Sequence, residues 1–275
     1  MKDIKTQVVR NVAVAPDYFQ LTLLAPQYLQ LARPGQFVML RINADNQPLL
    51  RRPFGIFSCE ILPGDNGAAE AAEVVHLLYK VVGSGTRLMT SLRSGDNVEL
   101  LGPLGHGFSV ESSASKHILV AGGVGVAALY MLAQQLRISG AAVQLLAGGR
   151  GSDDIVAVEQ FRLLGVETLI ATDDGSIGVK GYVTELLQRQ LDGDVAVYAC
   201  GPTPMLQAVH NICDAEDVPL QVSLEALMAC GVGACLGCVV PGHDHSENNP
   251  HFLCTCKQGP VFAADKLAWP SQEEC

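Results

Sequence analysis

The chain has 275 residues, of which 48% are hydrophobic and 5% aromatic, and its formal net charge is -10 at pH 7. This length allows two domains and a small third one, and the composition is typical of a folded chain. A net negative charge without a basic stripe argues against a nucleic-acid partner. The polar N-terminus is unlike a signal peptide, and the longest apolar run, Ile118 to Leu132, is interrupted by glycines. We therefore expect a cytoplasmic protein without membrane association.

Residues 1–110 are predicted to form a closed antiparallel barrel, because short strands alternate there with turn signals such as Arg33-Pro34-Gly35. Helical spacing occurs once in this region, at Thr86–Leu92. The predicted strands are Thr6–Val14, Phe19–Leu24, Gly35–Ile42, Phe54–Glu60, Glu73–Val82 and Asn97–Leu101.

Residues 111–224 show a different pattern, in which strands alternate with helices, so they predict a parallel sheet built of βαβ units. The predicted strands are His117–Ala121, Val143–Ala147, Glu167–Thr172, Val195–Ala199 and Val218–Leu224. The predicted helices are Val124–Leu136, Ile155–Leu164, Val183–Leu191 and Pro204–Ala215.

The remaining residues, 225–275, are predicted to form a small module organised by a cofactor, because five of the nine cysteines crowd together between positions 230 and 256. Cys230, Cys235 and Cys238 have the plant-type spacing of a [2Fe–2S] site, which requires one further cysteine downstream. Glycines between them give the backbone the freedom to fold around a cluster. The spacing leaves Cys254 and Cys256 open as the fourth ligand.

Four thiolates also suit a structural zinc ion, which is the main alternative for this segment. Zinc ribbons usually pair two C-x2-C motifs, whereas the first pair here is separated by four residues. The spacing therefore favours iron and sulfur over zinc, and buried structural cysteines are a remote third interpretation.

Two short segments of the barrel region predict a flavin. Arg52 precedes a strand, and an arginine supplies the forked, directional contact that a pyrophosphate needs. A second strand ends in the glycine turn Gly83-Ser84-Gly85-Thr86 and opens a helix, whose first N–H groups and Thr86 hydroxyl form a natural phosphate site.

Two loops of the α/β region predict a dinucleotide site. Gly122-Gly123-Val124-Gly125 follows a strand and enters a helix, although it is not the full G-x-G-x-x-G pattern. Cys200-Gly201-Pro202 likewise ends a strand. Loops at the carboxyl ends of parallel strands form the ligand crevice, so we expect Cys200 to lie against a nicotinamide.

The order of these motifs resembles that of the ferredoxin-reductase superfamily. The cysteine region is more specific: the segments 228–238 and 256–262, the latter reading Cys-Lys-Gln-Gly-Pro-Val-Phe, closely resemble the electron-transfer subunits of two-subunit, NAD-linked dihydroorotate dehydrogenases. This likeness covers essentially the whole chain.

The resemblance implies a set of cofactor contacts. Its final signature implies that Cys256 joins Cys230, Cys235 and Cys238 as the last cluster ligand. Gly55 stands where the family usually has serine, so a side-chain hydrogen bond to the flavin ring is expected to be absent. The positions that match the family's FAD-binding segments are Arg52, Pro53, Phe54, Gly55, Leu78, Tyr79, Lys80, Gly85 and Thr86.

The resemblance also implies a function in pyrimidine biosynthesis. A separate FMN-bearing subunit would oxidise dihydroorotate, with two copies of each subunit in a heterotetramer, and electrons would pass from FMN through the cluster and FAD to NAD⁺. This chain would place and tune cofactors, so we assign it no catalytic acid, base or nucleophile.

Two other functions are compatible with the same residues. The nearer is an NAD(P)H-dependent reductase that serves another partner, such as an oxygenase, a hydrogenase or a sulfur reductase. The other is a zinc-stabilised binding protein without a redox role, which would be colourless.

Overall fold

The computed structural model describes residues 1–42, 49–63, 71–110 and 114–269. The first region forms a seven-stranded antiparallel sheet with strand order β4-β3-β7-β1-β2-β6-β5. Its strands are β1 (Lys2–Ala15), β2 (Tyr18–Leu24), β3 (Phe37–Arg41), β4 (Arg52–Gly55), β5 (Ser58–Leu62), β6 (Ala72–Lys80) and β7 (Asn97–Leu104).

The chain itself joins the two edges of this sheet. Only Ile56 and Phe57 separate the edge strands β4 and β5, and their N–H groups donate to Gln36 O at 3.0 Å and His76 O at 2.9 Å. The single strand predicted at Phe54–Glu60 is therefore wrong, because it contains this corner. Ile56 and Phe57 are both buried, so no polar residue marks the corner in the sequence.

Two short helices accompany the sheet. The predicted helix Thr86–Leu92 is confirmed with different bounds, as α2 (Ser84–Met89). The single turn α1 (Tyr28–Leu31) was not predicted. One turn is too short to show the 3.6-residue period from which a helix is recognised.

The second region contains the predicted alternation of strands and helices. Its strands are β8 (Lys116–Gly122), β9 (Ala142–Gly149), β10 (Glu167–Thr172), β11 (Val179–Lys180), β12 (Val195–Cys200) and β13 (Leu220–Ser223). Its helices are α3 (Val126–Ile138), α4 (Val158–Leu163), α5 (Val183–Gln188) and α6 (Thr203–Ala215). Helix α4 begins three residues later than predicted, because Ser152–Asp154 form a 3-10 turn and Ala157 has φ 60°.

The order of the second sheet is β11-β10-β9-β8-β12-β13-β16. From β8, the chain proceeds to β9 on one side and later to β12 on the other, so the strand order reverses between β8 and β12. Open α/β sheets bind ligands at such a reversal, outside the carboxyl ends of the strands. The two glycine-containing loops that follow β8 and β12 therefore lie at the expected ligand crevice.

The cysteine-rich segment contributes a hairpin of β14 (Val239–Pro241) and β15 (Phe252–Cys254). Its last strand, β16 (Val261–Ala263), pairs antiparallel with β13. This strand was not predicted, since three residues after a glycine turn show no periodic pattern. The segment thus extends the sheet of the preceding region.

The barrel and the α/β region share one apolar core. Tyr18, Phe57 and Leu78 from the barrel pack in the same buried cluster as residues of α3 and β8. The rings of Phe57 and Tyr130 stack with their centroids 4.5 Å apart. Among the described residues, no helix combines the length and the apolar character that crossing a membrane requires.

Candidate functional site

A cavity of about 640 Å³ lies where the barrel, the α/β region and the cysteine-rich segment meet. Backbone or side chains of all nine predicted flavin-binding residues line it, so the structure brings the predicted set together. These residues are Arg52, Pro53, Phe54, Gly55, Leu78, Tyr79, Lys80, Gly85 and Thr86.

Arg52 and Gly85 show how two distant segments form one wall of the cavity. A Cβ atom on Gly85 would lie 2.0 Å from Arg52 Nε, so only glycine leaves room for the guanidinium there. Arg52 Nη1 donates to Leu50 O at 2.8 Å. A cation thus lies across the start of α2, and this arrangement fits the pyrophosphate of a dinucleotide.

The Thr86 hydroxyl is used within its own turn. It accepts hydrogen bonds from the N–H groups of Val82 at 2.9 Å and Gly83 at 3.1 Å, and it donates to Gly83 O at 3.1 Å. These bonds hold the glycine turn in a shape that exposes its remaining backbone to the cavity. The predicted contact between this hydroxyl and a phosphate stays a prediction.

Aromatic side chains form the apolar part of the cavity. The ring of Phe54 meets that of Tyr79 edge-on, with centroids 6.0 Å apart. Burial raises the pKa of Tyr79 to about 12, so it is a neutral phenol, and its hydroxyl donates to Asn11 Oδ1 at 3.3 Å. A Cβ atom on Gly55 would meet nothing within 4 Å. The wall next to Gly55 is therefore open, and the size and polarity of the cavity fit a flavin.

Lys80 has partners that the sequence did not indicate. It lines the cavity, but its ammonium donates to Tyr18 Oη at 2.9 Å and to Asp154 Oδ1 at 2.6 Å. The lysine charge is thus directed to a carboxylate of the α/β region. Sequence reasoning missed Tyr18 and Asp154 as partners, because they lie 62 and 74 positions from Lys80.

The two predicted nucleotide loops touch each other. A Cβ atom on Gly125 would lie 2.2 Å from Cys200 O, and one on Gly201 would lie 3.0 Å from Gly122 Cα. Glycine is required at these positions because the backbones of the two loops pack directly together. Gly123 also has φ +52°, in the left-handed region. Gly125 and Cys200 line the cavity, whereas Gly122, Gly123, Gly201 and Pro202 do not.

Cys200 is a neutral thiol at the cavity wall. Burial, with a smaller contribution from the carboxylate of Glu225, raises the pKa of its thiol to about 12, although a hydrogen bond with Ser223 opposes the rise. Such a thiol is a poor nucleophile. It can pack against a cofactor without taking part in covalent chemistry, and its predicted contact with a nicotinamide stays a prediction.

The cysteine-rich segment forms the remaining wall. Residues 224–228 and Pro260 line the cavity, and Met228 precedes Cys230 by only two positions. Sequence reasoning did not identify this stretch as part of a site. The stretch directly follows β13 and ends just before the first cluster cysteine. This position in the chain is the signal from which it could have been found.

The cysteines form two groups. The sulfur atoms of Cys238, Cys254 and Cys256 lie within 4.8 Å of one another. Cys230 is paired with Cys235 instead: the Val232 N–H, the Cys235 backbone and thiol, and the Ala234 N–H lower the pKa of Cys230 to about 6, against the effect of burial. Burial and the neighbouring Cys238 and Cys254 thiols raise the pKa of Cys256.

Each of the four predicted ligands accepts a backbone N–H on its sulfur atom. The donors to Cys230, Cys235, Cys238 and Cys256 are Val232 at 3.5 Å, Gly237 at 3.5 Å, Cys256 at 3.3 Å and Gly233 at 3.0 Å, respectively. Within the described ranges, no backbone N–H donates to Cys254 Sγ. Hydrogen bonds to the sulfurs are a feature by which proteins tune iron–sulfur clusters.

The grouping also bears on the zinc alternative. A single tetrahedral zinc ion needs four sulfur atoms about 2.3 Å from one point. Cys230 and Cys235 lie outside the group formed by the other three sulfur atoms. Two neighbouring pairs, Cys230 with Cys235 and Cys238 with Cys256, fit the two irons of a [2Fe–2S] cluster better than they fit one ion.

Two family models match this chain. The oxidoreductase NAD-binding domain matches residues 119–211, which include both nucleotide loops. The iron–sulfur cluster binding domain of dihydroorotate dehydrogenase B matches residues 225–268, which include all five clustered cysteines.

Full-length relatives are also found. The electron transfer subunit of dihydroorotate dehydrogenase B (NAD(+)) from Desulforamulus reducens is 38% identical over 270 residues, which cover 98% of this chain and 99% of that protein. The subunit of the same name from Geobacillus thermodenitrificans is 39% identical over 265 residues, which cover 94% and 96% of the two chains.

Solved structures share the fold. The NADH-dependent reduced ferredoxin–NADP oxidoreductase, described for flavin-based electron bifurcation, superposes with a TM-score of 0.80 at 28% identity, over 96% of this chain and 90% of that one. Phthalate dioxygenase reductase superposes with a TM-score of 0.61 at 17% identity, over 96% of both chains. The predicted architecture of barrel, parallel-sheet domain and cysteine module is therefore confirmed.

Proposed function

This chain belongs to the family of dihydroorotate dehydrogenase B electron transfer subunits, and we propose that it carries electrons from dihydroorotate oxidation to NAD⁺ in pyrimidine biosynthesis. It does so with an FMN-bearing catalytic subunit as partner, in a heterotetramer with two copies of each chain. The observation that carries the proposal is the single cavity whose walls are the flavin segments, the nucleotide loops and the backbone that leads to Cys230.

Each wall has a separate task. When bound, FAD exchanges a hydride with NAD⁺ and single electrons with an iron–sulfur cluster, so it connects the two partners. Arg52 and the turn at Gly83–Thr86 hold the flavin's phosphates, and Phe54 and Tyr79 cover its ring. Gly125 and Cys200 form the wall against which the nicotinamide binds. No side chain needs to move a proton or form a bond with substrate.

The cluster is held by Cys230, Cys235, Cys238 and Cys256. These are the four sulfur atoms that accept backbone N–H groups, and such donors stabilise the charge of ligating thiolates. Thiolate ligation requires reduced cysteines, and the described cysteines form no disulfide. A cytoplasmic location, where thiols stay reduced, is part of this proposal.

The catalytic subunit docks at the cluster loop. Leu236 lies between two ligands, its side chain is 61% exposed, and its backbone has φ 56°. A left-handed conformation is unfavourable for a branched apolar residue. Val232, which lies in the same cysteine loop, is also exposed and apolar. An exposed apolar patch of this kind suits a protein interface next to an electron exit.

Reconstitution tests the proposal. Anaerobically prepared chain is expected to contain FAD and about two irons per chain, to reduce dyes with NADH, and to leave dihydroorotate unoxidised. Mixed with the FMN-bearing subunit, it is expected to couple dihydroorotate oxidation to NAD⁺ reduction. Dihydroorotate oxidation by the chain alone would contradict this division of labour, and coupling only to another acceptor such as ferredoxin would point to a reductase for a different partner.

A pair of matched variants tests the docking surface. Leu236→Asp is expected to lose the partner-dependent reaction while keeping its iron, because a charge at the interface opposes docking. Ile138→Asp changes another exposed apolar residue, at the end of α3, far along the chain from the cluster loop. Equal loss of coupling in both variants would argue against this docking surface.

A further inference from the structure

Asp154 joins the two domains through a small network of charges. Its Oδ1 atom accepts hydrogen bonds from Tyr18 Oη at 2.7 Å and Lys80 Nζ at 2.6 Å, both from the barrel. Its Oδ2 atom accepts from Arg150 Nε at 2.8 Å, within the α/β domain. Asp154 and Tyr18 are buried, whereas the Arg150 side chain is 76% exposed. One carboxylate therefore balances two cations that come from different domains.

The network connects the flavin side of the cavity with the first nucleotide loop. Lys80 lines the flavin side and is paired with Tyr18 across strands β6 and β2. On the other side, the Tyr18 hydroxyl lies 3.4 Å from the position that a Cβ atom on Gly123 would occupy. Gly123 belongs to the first nucleotide loop. The Asp154 carboxylate thus holds Tyr18 between the strand that carries Lys80 and the loop that follows β8.

We propose that Asp154 is a positioning residue for hydride transfer: it fixes the nucleotide loop against the flavin-binding strand and thereby sets the approach of the nicotinamide to the flavin. The inference rests on the proposed function. It assigns a role in the reaction to a residue that lies outside every cofactor-binding segment predicted from the sequence.

Removal of the charge shows why this position is sensitive. In Asp154→Asn, the amide offers one acceptor oxygen in place of two, and the charges of Lys80 and Arg150 lose their common counter-ion. A partly buried lysine that loses its counter-ion turns toward water. The Tyr18 hydroxyl then loses its anchor, and the contact with the loop at Gly123 loosens. Small displacements of this kind lower the rate of a transfer that depends on alignment.

The test compares Asp154→Asn with Asp153→Asn, which removes the same charge from the neighbouring, exposed position. We measure flavin reduction by saturating NADH in single-turnover experiments on the holoprotein, together with amide hydrogen exchange. Asp154→Asn is expected to lower the first-order rate by about tenfold or more and to speed exchange at residues 122–128. Asp153→Asn is expected to stay within about twofold of wild type, since it leaves the network intact.

Several outcomes overturn the proposal. A single-turnover rate in Asp154→Asn equal to that in Asp153→Asn, with only a lower melting temperature, would reduce the network to a structural contact. Amide hydrogen exchange that rises equally throughout the protein would also show that the network is only a structural contact. If Asp154→Asn does not retain FAD, Tyr18→Phe decides, because it removes one hydroxyl and keeps the charges: a wild-type rate overturns the proposal. Failure of wild-type flavin to react with NADH would instead refute the proposed function.

Discussion

Cys256→Ser is expected to lose the iron–sulfur cluster, whereas Cys254→Ser is expected to keep it. Sulfur positions do not separate the two cysteines, because Cys254 Sγ lies 3.7 Å from both Cys238 Sγ and Cys256 Sγ. The difference is the Gly233 N–H, which donates to Cys256 Sγ at 3.0 Å. The loop between Cys230 and Cys235 therefore closes over Cys256.

The strength of the hydrogen bond from Gly233 sets how strongly the cluster is expected to prefer Cys256 over Cys254 as its ligand. A hydrogen bond to a charged group contributes about 1.5–3 kcal/mol. Ligation by Cys254 in place of Cys256 would lose this hydrogen bond. We therefore expect ligation by Cys256 to be favoured over ligation by Cys254 by about tenfold to hundredfold. Replacing the Cys254 thiol by a hydroxyl places a polar group in a buried site. The cost is about 1 kcal/mol where a neighbouring sulfur accepts a hydrogen bond from that hydroxyl.

Iron and acid-labile sulfide are to be measured after anaerobic purification, with FAD content as the control for folding. Wild type and Cys254→Ser are expected to hold about two irons per chain, and Cys256→Ser much less than one. Retained iron in Cys256→Ser with loss of iron in Cys254→Ser would show that Cys254 is the ligand. Equal loss in both variants would refute the argument from the N–H donor.

Three further expectations concern the cavity and the network. Gly55→Ser is expected to bind FAD a few-fold more tightly, because its Cβ meets nothing within 4 Å and a hydroxyl can add a hydrogen bond of about 1 kcal/mol; an unchanged dissociation rate of FAD would contradict this. Gly125→Ala is expected to lower the free energy of unfolding by about 1–3 kcal/mol and to raise the KM for NADH, because its Cβ would lie 2.2 Å from Cys200 O; a melting temperature and a KM equal to those of wild type would contradict this. Hydrogen bonds from Arg150, Lys80 and Tyr18 hold the pKa of Asp154 well below its usual range, against the effect of burial. The network therefore stabilises the fold above about pH 4, the ordinary aspartate pKa, and loses that contribution as pH falls further. The difference in melting temperature between wild type and Asp154→Asn should accordingly shrink below pH 4, and a constant difference down to pH 2 would refute this assignment.

Much of the site was predictable because its parts are local in sequence. The spacing of Cys230, Cys235 and Cys238 places three ligands on one short loop, and the turn at Gly83–Thr86 contains its own hydrogen bonds. The alternation of β8–β13 with α3–α6 likewise follows from periodic patterns within single segments. Such features depend on neighbours along the chain, so the sequence alone specified them.

Contacts between distant segments were decided only in the tertiary structure. The corner at Ile56 and Phe57 is as apolar as the strands that flank it, so no polar residue in the sequence indicates that one strand ends and another begins. The motif predicts Lys80 as a flavin contact, and only the fold shows that its ammonium also donates to Asp154, 74 positions away. Cys254 ends β15 and Cys256 lies in the turn that follows, yet both sulfurs belong to the same group. Only the fold of the Gly233 loop distinguishes them. In each case the deciding partner approaches from another element, and its position depends on how the domains pack.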